Sequence, residues 1–139
     1  MSVRIPEGYK PSEEEEFMNP VMSEYFKQLL LSWKRDLLSR TEETVQTMQK
    51  DAHLHMPDDI DRASDERDWS IELRTKDRTR KLVHKIELAL QRVDEGTYGY
   101  CKETDEPIGI RRLEARPVAE YSLEAQERHE REEKLHRDQ

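Results

Sequence analysis

Cysteine is nearly absent from this chain: Cys101 is the only one in 139 residues. A disulfide framework is therefore excluded. Glycine is almost as scarce, with four residues, so long helices are locally permitted. Apolar residues make up 33% and aromatics 6% of the chain, whereas ordinary globular domains are roughly 45–50% apolar. So little apolar surface does not fill a large compact core. It does line the seam between long helices, where each helix buries one stripe. No apolar run approaches the ~18–20 residues of a membrane span. The N-terminal stretch "MSVRIPEGYKPSEEEEF" has no apolar signal core. A basic excess is also missing. The net charge of −8 argues against autonomous DNA binding and favours a protein partner. The expectation is a soluble, cytoplasmic protein of about one domain.

Charge is what the chain has in abundance, at 40% Asp, Glu, Lys and Arg. It is organised in three stretches. Residues 1–18 hold Pro6, Gly8, Pro11 and the acidic run Glu13–Glu16, and read as a flexible N-terminal arm. Residues 19–95 read as a helical hairpin. Met22, Phe26, Leu29, Leu30, Trp33, Leu37, Leu38, Val45 and Met48 recur at steps of three or four, one apolar stripe on a helix of roughly 30 residues. "DAHLHMPDD" breaks the pattern, because Pro57 disfavours helical geometry at Met56. A second helix is predicted from Asp58 to about Asp94. Its stripe is clear at Leu82, Val83, Ile86, Leu90 and Val93, and thin near Ile60, Ala63, Trp69, Ile71 and Leu73. Helices joined by so short a turn lie antiparallel, with the tip at 52–61.

Residues 96–139 are the third stretch. Gly96 suits the left-handed position after a helix C-terminus. Tyr98, Tyr100, Ile108 and Ile110 flank the turn "KETDEP" like two short antiparallel strands. A final helix is predicted from Ser122, a plausible N-cap. The fold class is mainly α: a long antiparallel coiled-coil hairpin, a small ribbon-like module and a C-terminal helix.

Three segments together carry a resemblance: "PDDIDRA" at the tip, "SIELRTKDRTRKLVHKIELALQRVDEGTYGYC" along the second helix, and "EPIGIRRLEARP" in the ribbon. From Asn19 onward the chain resembles the DksA/TraR family, and its DksA-type members in particular. The resemblance implies a regulator that binds bacterial RNA polymerase, with the hairpin in the secondary channel and its tip near the catalytic centre. It also implies guanosine tetraphosphate as an effector at the polymerase interface, a monomer, and no enzymatic activity.

Residue by residue, the resemblance sets the family's tip motif on Asp58, Asp61 and Ala63. Judged by spacing alone, Asp58 equally suits a helix N-cap, and acids favour a first helical turn. The effector and polymerase interface falls on Arg78, Leu82, Lys85 and Arg116. Arg74, Arg78, Lys81 and Lys85, spaced by 4, 3 and 4, form one basic line, which is either a solvated face or a surface for an acidic rim or phosphates. Where family members often carry Lys after the last cysteine, this chain has Gln126.

The family's four zinc-ligand positions fall on Cys101, Thr104, Ser122 and Ala125. Only one is a thiol, whereas structural zinc takes four ligands, usually Cys or His. The expectation is a ribbon without metal, held by Tyr98, Tyr100, Ile108, Ile110, Leu113, Val118 and Tyr121. Cys101 then reads as a half-buried small residue on a strand, and His129 and His136 as solvated. Paired tip carboxylates also suit a second class of function, a secondary-channel factor that stimulates transcript cleavage through Mg2+.

Overall fold

The computed structural model describes residues 3–54 and 59–137, with side chains described except at 43–54 and 59–65. Four helices follow in order: α1 (Pro20–Leu54), α2 (Asp59–Glu95), α3 (Ile110–Ala115) and α4 (Leu123–Arg137). The predominantly helical architecture agrees with the sequence pattern.

Local chemistry explains most of the boundaries. Asn19 caps α1, its Oδ1 accepting from the Met22 N–H at 3.0 Å. Pro20 occupies the first helical position, where its missing N–H costs nothing. α1 continues to Leu54, beyond the tip boundary that the periodicity suggests. "DAHL" contains no Gly or Pro to stop it, and α2 begins at Asp59. The expected tip at 52–61 falls partly outside the described residues. α2 ends where Thr97 N–H and Tyr98 N–H both donate to the Arg92 carbonyl, at 2.9 and 3.1 Å. Gly96 there has φ 79°, a value that glycine adopts without steric cost.

The chain divides into two compact units. The first comprises Met1–Leu30 and Leu88–Gln139; the second is Leu31–Glu87. An ion pair bridges α1 and α2 in each: Lys27 to Asp94 at 3.9 Å in the first, Lys34 to Glu87 at 3.3 Å in the second.

The first unit holds most of the core: Met22, Phe26, Leu30, Ala89, Tyr98, Cys101, Ile110, Leu113, Val118, Ala119 and Ala125 are buried. Its aromatic rings meet edge to face, Tyr25 on Phe26 and Phe17 on Tyr100 with centroids 5.3 and 5.5 Å apart, a geometry that suits the ring quadrupoles. The arm makes more contacts than its composition suggests. Tyr9 stacks edge-on to Tyr25 and donates its hydroxyl to Glu15 at 2.9 Å. Burial, then that carboxylate, pushes the Tyr9 phenol up to about 12. Phe17 and Met18 lie over Gly99, where a Cβ would come within 3.2 and 3.0 Å of them.

In the second unit the described core is thin, with Val83 and Ile86 buried. Trp69, Ile71 and Leu73, which the periodicity assigned to the apolar stripe, are about half exposed. Ile71 lies on roughly the opposite side of the helix from Trp69 and Leu73, so the three do not form one stripe.

Two expectations for the ribbon need correction. No strand forms among the described residues; Tyr100 and Pro107 make an isolated antiparallel bridge. Cys101 N–H donates to Glu106 O and Ile108 N–H to Gly99 O, each at 2.8 Å. Pro107 has no N–H to extend a ladder. The stretch from Ile110, expected to be a return strand, instead turns into α3, burying Ile110 and Leu113.

Candidate functional site

The tip motif lies at the α1–α2 connection. Asp58 lies outside the described residues. Asp61 and Ala63 stand on the first turns of α2, and their side chains lie outside the described ones.

Farther along α2, Arg78, Leu82 and Lys85 follow at steps of four and three and so share a face. Arg78 and Lys85 are exposed and Leu82 is half-buried. The full basic line is less uniform than its spacing suggests. Lys81 pairs with Asp77 at 3.2 Å, and Asp77 also holds Arg80 at 2.8 Å. Lys81, then Arg80, holds the Asp77 carboxyl below the usual carboxylate range. Among the described residues no carboxylate stands within ion-pair distance of Arg74, Arg78 or Lys85. These three cations remain available to an anionic surface. Arg116, at the end of α3, is exposed in the first unit.

The structure does bring the ligand positions together. Cys101 opens a tight turn in which the Asp105 N–H donates to its carbonyl at 2.9 Å. Asp105 has φ 60° there, within the reach of aspartate. Cys101 is 1% exposed, buried where half-burial was expected. Burial pushes its thiol up, but the Thr104 hydroxyl and the backbones of Ser122, Thr104 and Glu103 bond to the sulfur and outweigh it. The net effect lowers the thiol from 9.0 to about 6. Thr104 Oγ1 also accepts weakly from Glu106 N–H at 3.4 Å. Ser122 caps α4 as expected, accepting from Ala125 N–H at 3.3 Å, and Ala125 is fully buried.

This donor set does not fit zinc. It offers one sulfur, two hydroxyls and a methyl with no lone pair, and one of the hydroxyls already caps a helix. Among the described residues no group of three or more His, Cys, Asp or Glu stands close enough to hold a metal.

Direct bonds join the same segments instead. Lys102 N–H donates to Glu120 O at 2.9 Å, and its ammonium stands 3.7 Å from the Glu120 carboxylate. Tyr98 donates to Pro117 O at 2.8 Å, and burial pushes its phenol up. Arg92 reaches the carbonyls of Thr97 and Tyr100, and Arg112 Nε donates to Tyr121 O at 3.1 Å. Arg112 thus ties α3 to the segment before α4, whereas Arg111 stands 3.6 Å from Glu13 of the arm.

His129 was expected to be solvated, yet its ring lies 4.6 Å from that of Tyr121. Its Nε2 stands 2.9 Å from Glu103. No hydrogen bond of good geometry forms at this nitrogen, and the contact is an ion pair only when the imidazole is protonated. Nothing local in the sequence signals it, because its partner lies on another element.

Comparison with known proteins covers both parts of the chain. The family model described as "DnaK suppressor protein DksA, N-terminal domain" matches residues 22–93. That described as "Prokaryotic dksA/traR C4-type zinc finger" matches residues 96–131. The chain is 59% identical over 130 residues to the RNA polymerase-binding transcription factor DksA of Caulobacter vibrioides, covering 94% of this chain and 91% of that one. It is 41% identical over 127 residues to the protein of the same description from Escherichia coli strain K12, covering 89% and 83%. The solved structure of transcription factor DksA2 from Pseudomonas aeruginosa is similar with a TM-score of 0.78 and 36% identity, over 87% of this chain and 94% of that one.

Proposed function

The chain belongs to the DksA/TraR family, and on that premise we propose that it regulates transcription by binding bacterial RNA polymerase in its secondary channel. In this reading the tip residues Asp58, Asp61 and Ala63 act near the polymerase active centre and shift the open-complex population at initiation. Their role is electrostatic and steric, so the protein is not an enzyme. It works as a monomer in the bacterial cytoplasm, beside its partner. The observation that carries the reading is the match along 94% of the chain to a relative described as RNA polymerase-binding.

Guanosine tetraphosphate acts as effector at the interface with polymerase, through Arg78, Leu82, Lys85 and Arg116. The exposed Arg78 and Lys85, with no carboxylate paired to them among the described residues, support a phosphate contact. The C-terminal module works without zinc. Its support is the donor set of Cys101, Thr104, Ser122 and Ala125, together with the bonds that tie the turn at 101–106 to the start of α4. Residues 1–18 serve as an arm, 19–95 as the hairpin, and 96–139 as the module with its terminal helix.

The test is transcription in vitro from a ribosomal RNA promoter with purified protein and polymerase, with and without the nucleotide. Shortened open-complex lifetimes are expected, and unchanged lifetimes at saturating protein sink the proposal. The tip carboxylates also suit stimulation of transcript cleavage, so backtracked complexes are assayed in parallel. Cleavage without any effect on initiation favours that second reading.

A further inference from the structure

Between the tip motif and the basic segment, α2 carries "ERDWSIEL", in which apolar and charged residues are placed against the usual order. Trp69 is 45% and Leu73 46% exposed, whereas Glu72 beside them is half-buried. Folding stability alone favours the reverse, because an exposed indole and isobutyl group forgo much of the roughly 1.5–3 kcal/mol that full burial of such a side chain supplies.

Trp69 and Leu73 stand one helical turn apart on one face. The same face continues with Lys76 and Arg80, at steps of three and four. The segment that follows, 74–85, holds Arg74, Lys76, Arg78, Arg80, Lys81 and Lys85 against the single acid Asp77, while Asp65, Glu66, Asp68 and Glu72 lie on the N-terminal side of the pair and between its members, so the rim is cationic on its C-terminal side. That segment is a strongly cationic stretch in a chain of net charge −8. An apolar pair next to such a rim has the composition of a contact centre, with a desolvated aromatic anchor and charged residues around it.

We propose that Trp69 and Leu73 form the apolar anchor of the polymerase interface, seated in an apolar socket on an acidic protein surface. The inference rests on the polymerase-binding reading above and adds to it the residues that supply affinity. Charge selects this occupant. The cationic rim complements an acidic wall, whereas two copies of a chain with net charge −8 repel each other. The anchor also separates two tasks along one helix. Affinity resides at 69 and 73, and action at Asp61, about 12 Å earlier at 1.5 Å per residue.

The experiment measures binding of the full-length chain to bacterial RNA polymerase by competition against labelled wild-type protein. Trp69→Ala and Leu73→Gln are each expected to weaken binding by roughly tenfold or more. Circular dichroism and thermal unfolding monitor the fold, and the half-exposed positions predict little change in either. Leu73→Gln keeps a good helix former in place, so it provides the test if Trp69→Ala unfolds. Binding within twofold of wild type by a folded variant overturns the proposal. So does a variant that loses only self-association in sedimentation, or only single-stranded DNA binding, while polymerase affinity is intact. If wild type itself does not bind polymerase, the proposed function and the anchor fall together. If wild type binds and the variants bind equally, only the anchor falls.

Discussion

His129 on α4 places its Nε2 2.9 Å from a carboxylate oxygen of Glu103, in the turn that Cys101 opens. The contact joins the segments that a four-thiolate zinc site would join, and does so with side chains alone. The module is therefore expected to keep its thermal transition in EDTA. A transition that falls on chelation refutes the metal-free reading. The pair is partly exposed, and such pairs contribute about 0.2–1 kcal/mol. His129→Ala also removes the ring contact with Tyr121. Loss of the pair is expected to lower Tm by about 2–4 °C, read by calorimetry.

Stability should also depend on Cys101. Its thiol is held at about 6 in the folded chain against an ordinary 9.0. Between those values the unfolded chain binds a proton that the folded chain does not. The contribution is thus fully present above pH 9 and is lost as pH falls through about 6, with a slope of at most about 1.4 kcal/mol per pH unit. Urea unfolding of wild type and Cys101→Ala across pH 6–9 isolates this. The gap between them should widen as pH rises, and a constant gap rules the thiolate out.

Gly99 should resist substitution. Its φ is +90°, and a Cβ there would stand 3.0 Å from Met18 Cε and 3.2 Å from Phe17 Cζ. Gly99→Ala combines backbone strain of about 1–3 kcal/mol with displacement of the arm. Lower denaturation midpoints and faster protease cleavage within residues 3–18 are expected. Unchanged cleavage would mean that the arm does not depend on this contact.

Asp61→Asn keeps the size of the tip side chain and removes its charge. It should leave polymerase affinity within about twofold, less than 1.4 kcal/mol, while abolishing the effect on a ribosomal RNA promoter. Full promoter activity in the variant would remove Asp61 from the mechanism.

Gln126→Lys should strengthen the response to guanosine tetraphosphate by restoring a cation next to the last ligand position. The gain is measured as the shift in nucleotide concentration giving half-maximal inhibition. Arg78→Ala should shift it the other way. If neither variant moves it, the effector does not use this surface.

The two long helices were legible because a helical stripe repeats locally: Met22, Phe26 and Leu30 announce their burial by spacing, as do Val83 and Ile86. The caps at Gly96 and Ser122 were legible for the same reason, each being a property of a few adjacent residues. α3 was not, since "IGIRRL" has the alternation of a short strand and only the packing of Ile110 and Leu113 makes it helical. Trp69 and Leu73 were assigned inward because apolar composition does not state which side of a helix faces solvent.

By itself the sequence determined the mainly helical class and the family, and it shows a thiol at only one of the four positions that the resemblance assigns to zinc ligands, because all of these reside in residue identity and short spacing. Tertiary structure decided what replaces the thiolates. The lowered Cys101 thiol needs Thr104 and Ser122 brought to its sulfur. The Glu103–His129 contact needs α4 folded back over the turn, and the arm needs a glycine face on which to lie. Each depends on distance through space between elements far apart in the chain, and local periodicity carries no record of that distance.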